Sequence, residues 1–256
     1  MAFLTSTVFA IGHIGPPTAE LKKGQWDLGF NYSYSTQDLD SSSAKYVWDG
    51  DEPEHFKLKT KDFNVHRYYA VGGYGICDRW EVFGQLGVAD LKADFEGDDW
   101  TDGVNFDNDF AWGLGTRFTL AQQDKVKWGF SAQANWLDTS NTEKGIEVDE
   151  VTYTWKEKYS IETFELLLAF GPTIDMGGWK LYGGPFYYYL DGDYEWKESY
   201  SDTTDVGKET GDLEEDSNFG GFIGAIVPLA KNVNMTAEFS ATADGWGLGT
   251  GITFKF

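Results

Sequence analysis

The chain lacks cysteine pairs, histidine clusters and long apolar runs. Its 256 residues include one cysteine, Cys77, and three histidines. A single cysteine excludes an internal disulfide framework and a multi-thiolate metal site. Only 6 prolines accompany 31 glycines and 17% aromatic residues, a composition unlike that of disordered or collagenous chains. These absences favour one large β-rich domain over two smaller ones.

The absence of long apolar runs excludes a membrane helix but not a membrane. No stretch approaches the ~18 consecutive apolar residues that such a helix needs, whereas barrel strands need only ~10 residues of alternating hydrophobicity. The first ten residues, M-A-F-L-T-S-T-V-F-A, are apolar and end near a small residue, with no Lys or Arg ahead of them. We interpret residues 1–24 as either an N-terminal arm or the remnant of a signal peptide.

Alternation with period two is the main pattern that the chain does contain. In residues 26–34, W-D-L-G-F-N-Y-S-Y, apolar side chains occupy every second position. The same pattern occurs in residues 110–120 and 126–136, and it is typical of strands with an apolar surface on one side only. Less regular versions occupy residues 63–76, 80–91, 161–174, 179–190, 218–227 and 232–243, and residues 246–256 close the chain. We predict ten strands, an even number that suits a closed up-and-down barrel.

The connections between these segments alternate between short and long. The short turns are residues 77–79, 121–125, 175–178 and 228–231, and the long polar segments are residues 37–62, 90–109, 138–160 and 191–216. A transmembrane barrel has this asymmetry, with short periplasmic turns and longer extracellular loops. A soluble sandwich has no reason to keep its two ends so unequal.

Acidic residues are concentrated in the four long segments. These segments contain 7, 8, 6 and 11 acidic residues, which is 32 of the 42 in the chain, and 10 of its 20 basic residues. Their balance of 10 minus 32 equals the net charge of -22, and the rest of the chain is neutral. This acidity excludes nucleic acid as a partner. It suits loosely bound divalent cations shared with the phosphates of outer-leaflet glycolipid.

The last residues of the chain carry a resemblance to a known class. Gly251, Phe254 and Phe256 match the C-terminal assembly signal of bacterial outer-membrane β-barrel proteins, and the chain resembles that superfamily also at L-K-K-G-Q-W-D-L-G-F-N-Y-S-Y-S and Y-G-I-C-D-R-W-E. The resemblance implies a location in the bacterial outer membrane, contact with membrane lipid and insertion by the barrel-assembly machinery. We therefore predict an all-β fold, a single closed antiparallel transmembrane barrel over residues 25–256, present as a monomer.

Polar residues of both signs are predicted to face the barrel lumen. The candidates are Asp27, Asn31, Glu81, Gln85, Asp109, Arg117, Lys127, Gln133, Glu165, Glu238, Ser240 and Lys255. One interpretation is an internal network of ion pairs and hydrogen bonds that fills a narrow lumen. The other is a narrow water-filled path for ions or small solutes. Residues 63–76 and 179–190 are apolar on both parities, so the side on which Arg67 lies is not predicted.

Aromatic side chains lie among the acids of the long segments. They are Tyr46, Trp48, Tyr153, Trp155, Tyr194, Trp196 and Tyr200. Strands that continue beyond the membrane as hairpins would pack such aromatics against one another. Alternatively, exposed aromatics supply a recognition surface for glycans or partner proteins.

Catalytic and metal-binding patterns are weak. His66 is predicted near the outer end of the second strand, within reach of Ser33 or Ser35, but the local pattern of the omptin proteases is absent. Aspartates two residues apart, as in Asp191-Gly192-Asp193, do not continue into an EF-hand and read as turn residues. We predict no enzyme, no cofactor and no specific metal site.

Three functional hypotheses follow. The leading one is an outer-membrane barrel with a structural or passive permeability role, porin-like and selective for small cations or solutes. The alternative is a surface adhesin or receptor that binds glycans or proteins through its acidic, aromatic loops. A hydrolase built on His66 is the third.

Overall fold

The computed structural model describes residues 12–41, 43–48, 51–96, 101–148, 152–201, 206–215 and 218–256. Its strands are β1 (Trp26–Ser41), β2 (Lys45–Trp48), β3 (Glu54–His55), β4 (Leu58–Cys77), β5 (Trp80–Glu96), β6 (Thr101–Asn105), β7 (Asp109–Gln123), β8 (Val126–Val148), β9 (Thr152–Asp175), β10 (Lys180–Tyr200), β11 (Val206–Glu215), β12 (Phe219–Ala230), β13 (Val233–Thr242) and β14 (Gly245–Lys255). Within the described ranges, no helix has the length and apolar character to cross a membrane.

Ten of these strands close into a ring. Going round it, the order is β1, β4, β5, β7, β8, β9, β10, β12, β13 and β14, every neighbouring pair being antiparallel. β14 then pairs with β1 from Asp27↔Lys255 to Gln37↔Gly245. Closure leaves no sheet edge, as required where no water can satisfy backbone groups. The predicted ten-stranded up-and-down barrel is confirmed.

The terminal phenylalanine completes this closure. The Phe256 N–H donates to the Trp26 carbonyl at 2.9 Å, and the two rings stack with centroids 4.2 Å apart. Phe254 and Phe256 are 42% and 57% exposed on the outer surface. The alternation at the end of the chain therefore has an apolar surface to lie against, because the outer side of the ring faces lipid.

An apolar band surrounds the ring. Its exposed side chains include Leu28, Phe30, Leu86, Leu114, Leu120, Phe170, Ile223, Leu248 and Ile252. Aromatic pairs border the band, such as Trp112 stacked on Trp136 at 4.2 Å and Trp80 stacked on Phe118 at 5.4 Å. A belt of aliphatic side chains between aromatic girdles is the outer surface of a transmembrane barrel.

The sequence does not predict which side of β4 and β10 faces lipid, but the structure defines an inner and an outer face for both strands. On β4, Arg67 and Tyr69 are buried inside the ring, 4% and 6% exposed, while Tyr68 faces outward at 49%. On β10, Tyr182 and Tyr188 are buried inside. Both parities are apolar in these strands because the interior also accepts tyrosine and phenylalanine where they can pack or find a hydrogen-bond partner.

Much of what the sequence predicts as long loops is strand. β8 and β9 pair without interruption from Val126↔Ile174 to Val148↔Thr152, far beyond the ~10 residues that cross a membrane. Asp191 and Asp193 lie within β10 and not in a turn. Above the ends of β12 and β14, β11 fills the gap between β10 and β1, so the extracellular extension is also ring-shaped.

Candidate functional site: a filled lumen below an extracellular cup

The middle of the lumen holds a buried ion pair. Arg67 and Glu165 form a salt bridge in which both side chains are 5% exposed. Arg67 Nη1 donates to Ser35 Oγ at 2.8 Å, and Glu165 accepts from the Tyr188 hydroxyl at 3.3 Å and from Asn135 Nδ2 at 3.4 Å. Each charge therefore has a charged partner and further hydrogen bonds, as a buried pair needs.

The N-terminal segment, residues 12–24, occupies the lumen from this pair down to the periplasmic mouth. Gly12 lies beside Ser33 and Arg67. Glu238 accepts the N–H groups of Ile14 and Gly15 at 2.7 and 2.8 Å. Residues 1–11, which contain the rest of the predicted arm or signal remnant, lie outside the described residues.

A second carboxylate holds the lower half of this segment. Glu81 Oε2 accepts the N–H groups of Glu20 and Leu21 at 2.7 and 2.9 Å, and its Oε1 accepts from Arg117 Nη1 at 2.8 Å. Gly15 has a φ of 76°, and a Cβ there would lie 2.7 Å from Arg117 Nη2. Glycine is thus required where the segment passes this side chain.

Lysines from the barrel wall bind the carbonyl and carboxylate oxygens of the segment. Lys255 Nζ donates to the Glu20 carbonyl at 3.0 Å, and Lys127 Nζ reaches the Ala19 carbonyl at 3.5 Å. Lys180 pairs with the Glu20 carboxylate. The charges that the sequence places in the lumen are therefore bound to the chain's own backbone and to one another.

The remaining predicted lumen residues have several locations. Gln85 and Gln133 both donate to Asn135 Oδ1, at 2.6 and 3.2 Å. Asn31 lies against Gly251, Asp27 beside Gly73, and Ser240 is 2% exposed. Asp109 differs from the rest: its carboxylate accepts from the Ser140 N–H at 3.0 Å at the extracellular end of β8. It contributes to an acidic groove with Asp138 and Glu162, because β7 ends at this level.

An apolar layer lies above the polar network. It consists of inward-facing side chains that are at most 1% exposed: Leu39, Leu58, Phe63, Val65, Leu91, Phe95, Ile161, Leu190 and Leu213. β1, β4, β5, β9, β10 and β11 all contribute to it. Polar side chains below and apolar ones above fill the interior of the described barrel.

The extracellular end of the ring forms a concave site, here called the cup. Its lining is Tyr46 from β2, Glu54 and His55 from β3, Phe56, Phe95 from β5, Asp102 from β6, Glu157 and Tyr159 from β9, Tyr194 and Trp196 from β10, and Glu209 from β11. It encloses a cavity of about 510 Å³. Phe95 and Tyr194, with ring centroids 4.5 Å apart, connect its floor to the apolar layer.

Aromatic rings form the wall of the cup. Trp196 lies between Tyr46 and Tyr159, with ring centroids at 6.2 and 6.5 Å. Alternation puts these rings inside: Tyr194 and Trp196 point inward from β10, while Glu195 points outward and pairs with Lys197 and Lys208. The extension thus separates an aromatic interior from a charged exterior.

The polar groups of the cup are incompletely paired. Glu209 is 8% exposed, and burial raises its pKa to about 7, an effect that a hydrogen bond from Tyr194 partly offsets. Glu209 Oε1 and Trp196 Nε1 are buried without a hydrogen-bond partner among the described residues. The Tyr159 hydroxyl donates to Asp102 Oδ2 at 2.9 Å and lies 3.2 Å from Glu157 Oε2. Its pKa is raised, chiefly by desolvation and then by the hydrogen bond to Asp102.

The predicted loop aromatics divide between the cup and the rim above it, on the same inner face of the extension. Tyr46, Tyr194 and Trp196 line the cup. Trp48 packs against Tyr200 at 6.4 Å, and Trp155 lies over Gly145 in the β8–β9 hairpin. The side chain of Tyr153 lies outside the described residues.

The residues considered for hydrolysis do not converge. His66 faces outward, and its Nδ1 lies 2.9 Å from the Tyr32 hydroxyl. Ser33 and Ser35 point into the lumen, 2% and 3% exposed. The serines and the imidazole are on opposite faces of the sheet, because His66 is in register with Tyr34 and Ser33 with Arg67. No group of three or more His, Cys, Asp or Glu side chains within the described ranges could hold a metal ion.

Several residues of both sites are absent from the sequence-based candidates. In the lumen they are the N-terminal segment, Asn135 and Tyr188. In the cup they are every lining residue except Tyr46, Tyr194 and Trp196, and they include Phe95, Tyr159 and Glu209. Alternation of Gly207, Glu209, Gly211 and Leu213 against charged neighbours is a signal for an inward face of β11. No periodicity marks residues 12–24, because an extended segment inside a lumen has no single buried face.

Comparisons with known proteins give structural neighbours only. No protein-family model and no curated protein matches the chain. The outer membrane protein OprG from Pseudomonas aeruginosa is 11% identical, with a TM-score of 0.44 over 92% of this chain and 97% of that one. The outer membrane protease OmpT from Escherichia coli is 11% identical, with a TM-score of 0.48 over 90% and 97%. An outer membrane channel from Pseudomonas putida F1 is 10% identical, with a TM-score of 0.44 over 96% and 100%.

At this level of similarity no activity carries over to this chain. Its own structure has a closed antiparallel ring, an apolar outer band with aromatic borders, and an interior in which the charged groups of Arg67, Glu81, Glu165 and Glu238 are ion-paired or hydrogen-bonded. These features make the chain a transmembrane β-barrel of the kind found in bacterial outer membranes.

Proposed function

We propose that this protein acts at the cell surface as a ligand-binding barrel, a receptor in the broad sense, and that the cup is its binding site. The observation that supports this role most strongly is the contrast inside one ring, between a lumen filled by the chain's own N-terminal segment and a cavity of about 510 Å³ open at the extracellular end. A concave site with aromatic walls and a few polar groups is the usual form of a small-molecule site.

Passive permeability receives less support from the same packing. The carboxylates and lysines that would line a pore bind residues 12–24, and an apolar layer lies above them. Ions crossing this path would have to displace a segment held by charge-assisted hydrogen bonds. Membrane lipid and outer-leaflet glycolipid remain its proposed surroundings, and its non-enzymatic nature remains a prediction.

The experiment that tests this role compares two aromatic variants of the refolded protein. Cup-disrupted protein carries Tyr159→Ala and Trp196→Ala, and the control carries Phe219→Ala, an aromatic side chain that is 72% exposed on the outer face of the barrel and does not line the cup. A panel of glycans, organic amines and short peptides is screened for binding by calorimetry.

We expect at least one ligand class to bind the wild type and the control but not the double variant. Binding that survives in the double variant, or a panel without any binder, would contradict the proposal. Retention of the barrel fold in all three proteins is checked by circular dichroism.

A further inference from the structure

We propose that the cup binds an organic ammonium group that carries a neighbouring oxygen acceptor, as in an amino alcohol. This inference rests on the proposed receptor role and names the ligand class of that same site. It draws on three independent features of the cup: its uncompensated carboxylates, its ring arrangement and its unpartnered polar atoms.

The charge balance of the cup requires a cation. Four carboxylates line it, from Glu54, Asp102, Glu157 and Glu209, against a single histidine, His55. No ion pair between the described residues includes any of these four side chains. By contrast, Glu195 on the outer face of the same extension is bound by two lysines. Glu195 thus has counter-charges that the four carboxylates of the cup lack.

The aromatic wall suits an ammonium group with an apolar surface. Tyr46, Trp196 and Tyr159 follow one another around the cavity at 6.2 and 6.5 Å between ring centroids. A cation within about 6 Å of several ring faces is attracted by their quadrupoles, most strongly by tryptophan. Methylated ammonium groups gain further because their surface is apolar and weakly hydrated.

The unpartnered atoms define the rest of the ligand. Glu209 Oε1 is a buried acceptor without a donor, and Trp196 Nε1 is a buried donor without an acceptor. Buried polar atoms are normally hydrogen-bonded, so these two are the atoms that a ligand would satisfy. An ammonium or its polarised methyl groups complements the carboxylate, and a hydroxyl or carbonyl oxygen complements the indole N–H.

A neutral sugar fits this site less well. Its hydroxyls could bond to both atoms and its ring could stack on Trp196, but it supplies no counter-charge to the four acidic residues of the cup. Removing a carboxylate from water without a counter-charge is unfavourable. Charge therefore separates the two ligand classes experimentally.

The test uses choline and its neutral isostere 3,3-dimethylbutan-1-ol, which share shape and hydroxyl and differ in charge. Binding to the full refolded chain is measured by calorimetry and by tryptophan emission. We expect choline to bind at least about tenfold more tightly than the isostere. At about pH 8.5, where the Glu209 carboxyl is ionised, Glu209→Gln should weaken choline binding by about tenfold and leave binding of the isostere unchanged, because it removes the charge and keeps the shape.

Glu214→Gln is the matched control. Glu214 lies on the same strand, is exposed on the outer face and loses the same charge. It should leave choline binding unchanged, which separates the local role of Glu209 from the general acidity of the surface. Tryptophan emission from Trp196→Phe protein should no longer respond to choline.

Two results would overturn the inference. If choline and the isostere bind equally, or if a neutral glycan binds through the cup while choline does not, the ligand class is wrong and the receptor role stands. If no ligand in either experiment depends on Tyr159 and Trp196, the receptor role and the inference fail together.

Discussion

The lumen and the cup are two parts of one ring whose buried carboxylates have different partners. In the lumen, Glu81 and Glu238 each accept two backbone N–H groups from the N-terminal segment. In the cup, Glu209 Oε1 and Trp196 Nε1 have no partner among the described residues. Satisfied buried charges stabilise a single packed arrangement, whereas unsatisfied ones beside a cavity remain available to a ligand. We therefore assign a structural role to the lower part of the barrel and a recognition role to its upper part.

The largest effect is expected at the central ion pair of the lumen. Arg67→Met leaves the Glu165 charge buried without a counter-charge and should lower the free energy of unfolding by about 3–5 kcal/mol. Urea unfolding in lipid vesicles measures the change. The double variant Arg67→Met with Glu165→Gln should recover most of it, because no lone charge remains. If Arg67→Met alone were as stable as the wild type, the Arg67–Glu165 ion pair would be accessible to water and not buried.

The attachment of the N-terminal segment gives the second effect. Glu238→Ala leaves the N–H groups of Ile14 and Gly15 without acceptors, which should lower the unfolding free energy by about 2–4 kcal/mol. It should also speed amide hydrogen exchange at Ile14 and Gly15 as the upper half of the segment detaches. Glu214→Ala, outside the lumen, serves as the control. Unchanged stability together with unchanged exchange would mean that this carboxylate does not hold the segment.

The pH dependence of stability distinguishes the cup from its outer surface. The pKa of Glu209 is raised from 4.5 to about 7 in the folded protein. Folded protein therefore binds more protons than unfolded protein between these values, and stability should fall as pH rises from about 4.5 to about 7. Groups that line the cup with Glu209 and also titrate or carry charge are Tyr46, Glu54, His55, Asp102, Glu157, Tyr159 and Tyr194.

Glu209→Gln isolates this contribution. The stability advantage of Glu209→Gln over the wild type should grow from pH 5 to pH 7.5, measured by urea unfolding at each pH. Glu214→Gln, a change of the same kind on the exposed face of the same strand, is the control. A constant difference for Glu209→Gln across this range would contradict the buried location of the carboxyl group.

The smallest effect is expected at the end of the chain. Phe256→Ala removes the ring stacked on Trp26 at 4.2 Å and should lower the unfolding free energy by about 1 kcal/mol. Phe30→Ala, a lipid-exposed phenylalanine on the neighbouring strand, measures the loss of apolar area alone. Equal effects of the two changes would indicate that the stacking contributes nothing beyond lipid contact.

Alternation made the membrane ring predictable from the sequence. Each strand has lipid on one side and the packed lumen on the other, so its apolar side chains alternate with a period of two residues. The strands at residues 26–34 and 246–256 are therefore recognisable from the sequence alone. The extracellular strands were harder to predict because acidic residues such as Glu195 and Glu162 conceal the inward set of Tyr194, Trp196 and Ile161. The C-terminal Phe256 indicated the class but not the function.

The contacts across the ring could not be predicted from one sequence. Glu238 and Ile14 are 224 residues apart, and Glu20 and Glu81 are 61 apart. Pairing at such separations depends on strand register and on which residues enter the lumen, and neither leaves a local pattern. The cup has the same property, since β2, β3, β5, β6, β9, β10 and β11 all contribute to it.

The most direct test of a closed lumen below a binding cup is single-channel conductance of the refolded wild-type protein in a planar bilayer at high salt. Correct insertion is verified in the same preparation by protease protection. We predict no current from the wild type, and none from Glu238→Ala, because the apolar layer still closes the lumen above the segment. Steady openings of the wild type, with cation selectivity, would contradict the account and return the lumen to a transport role.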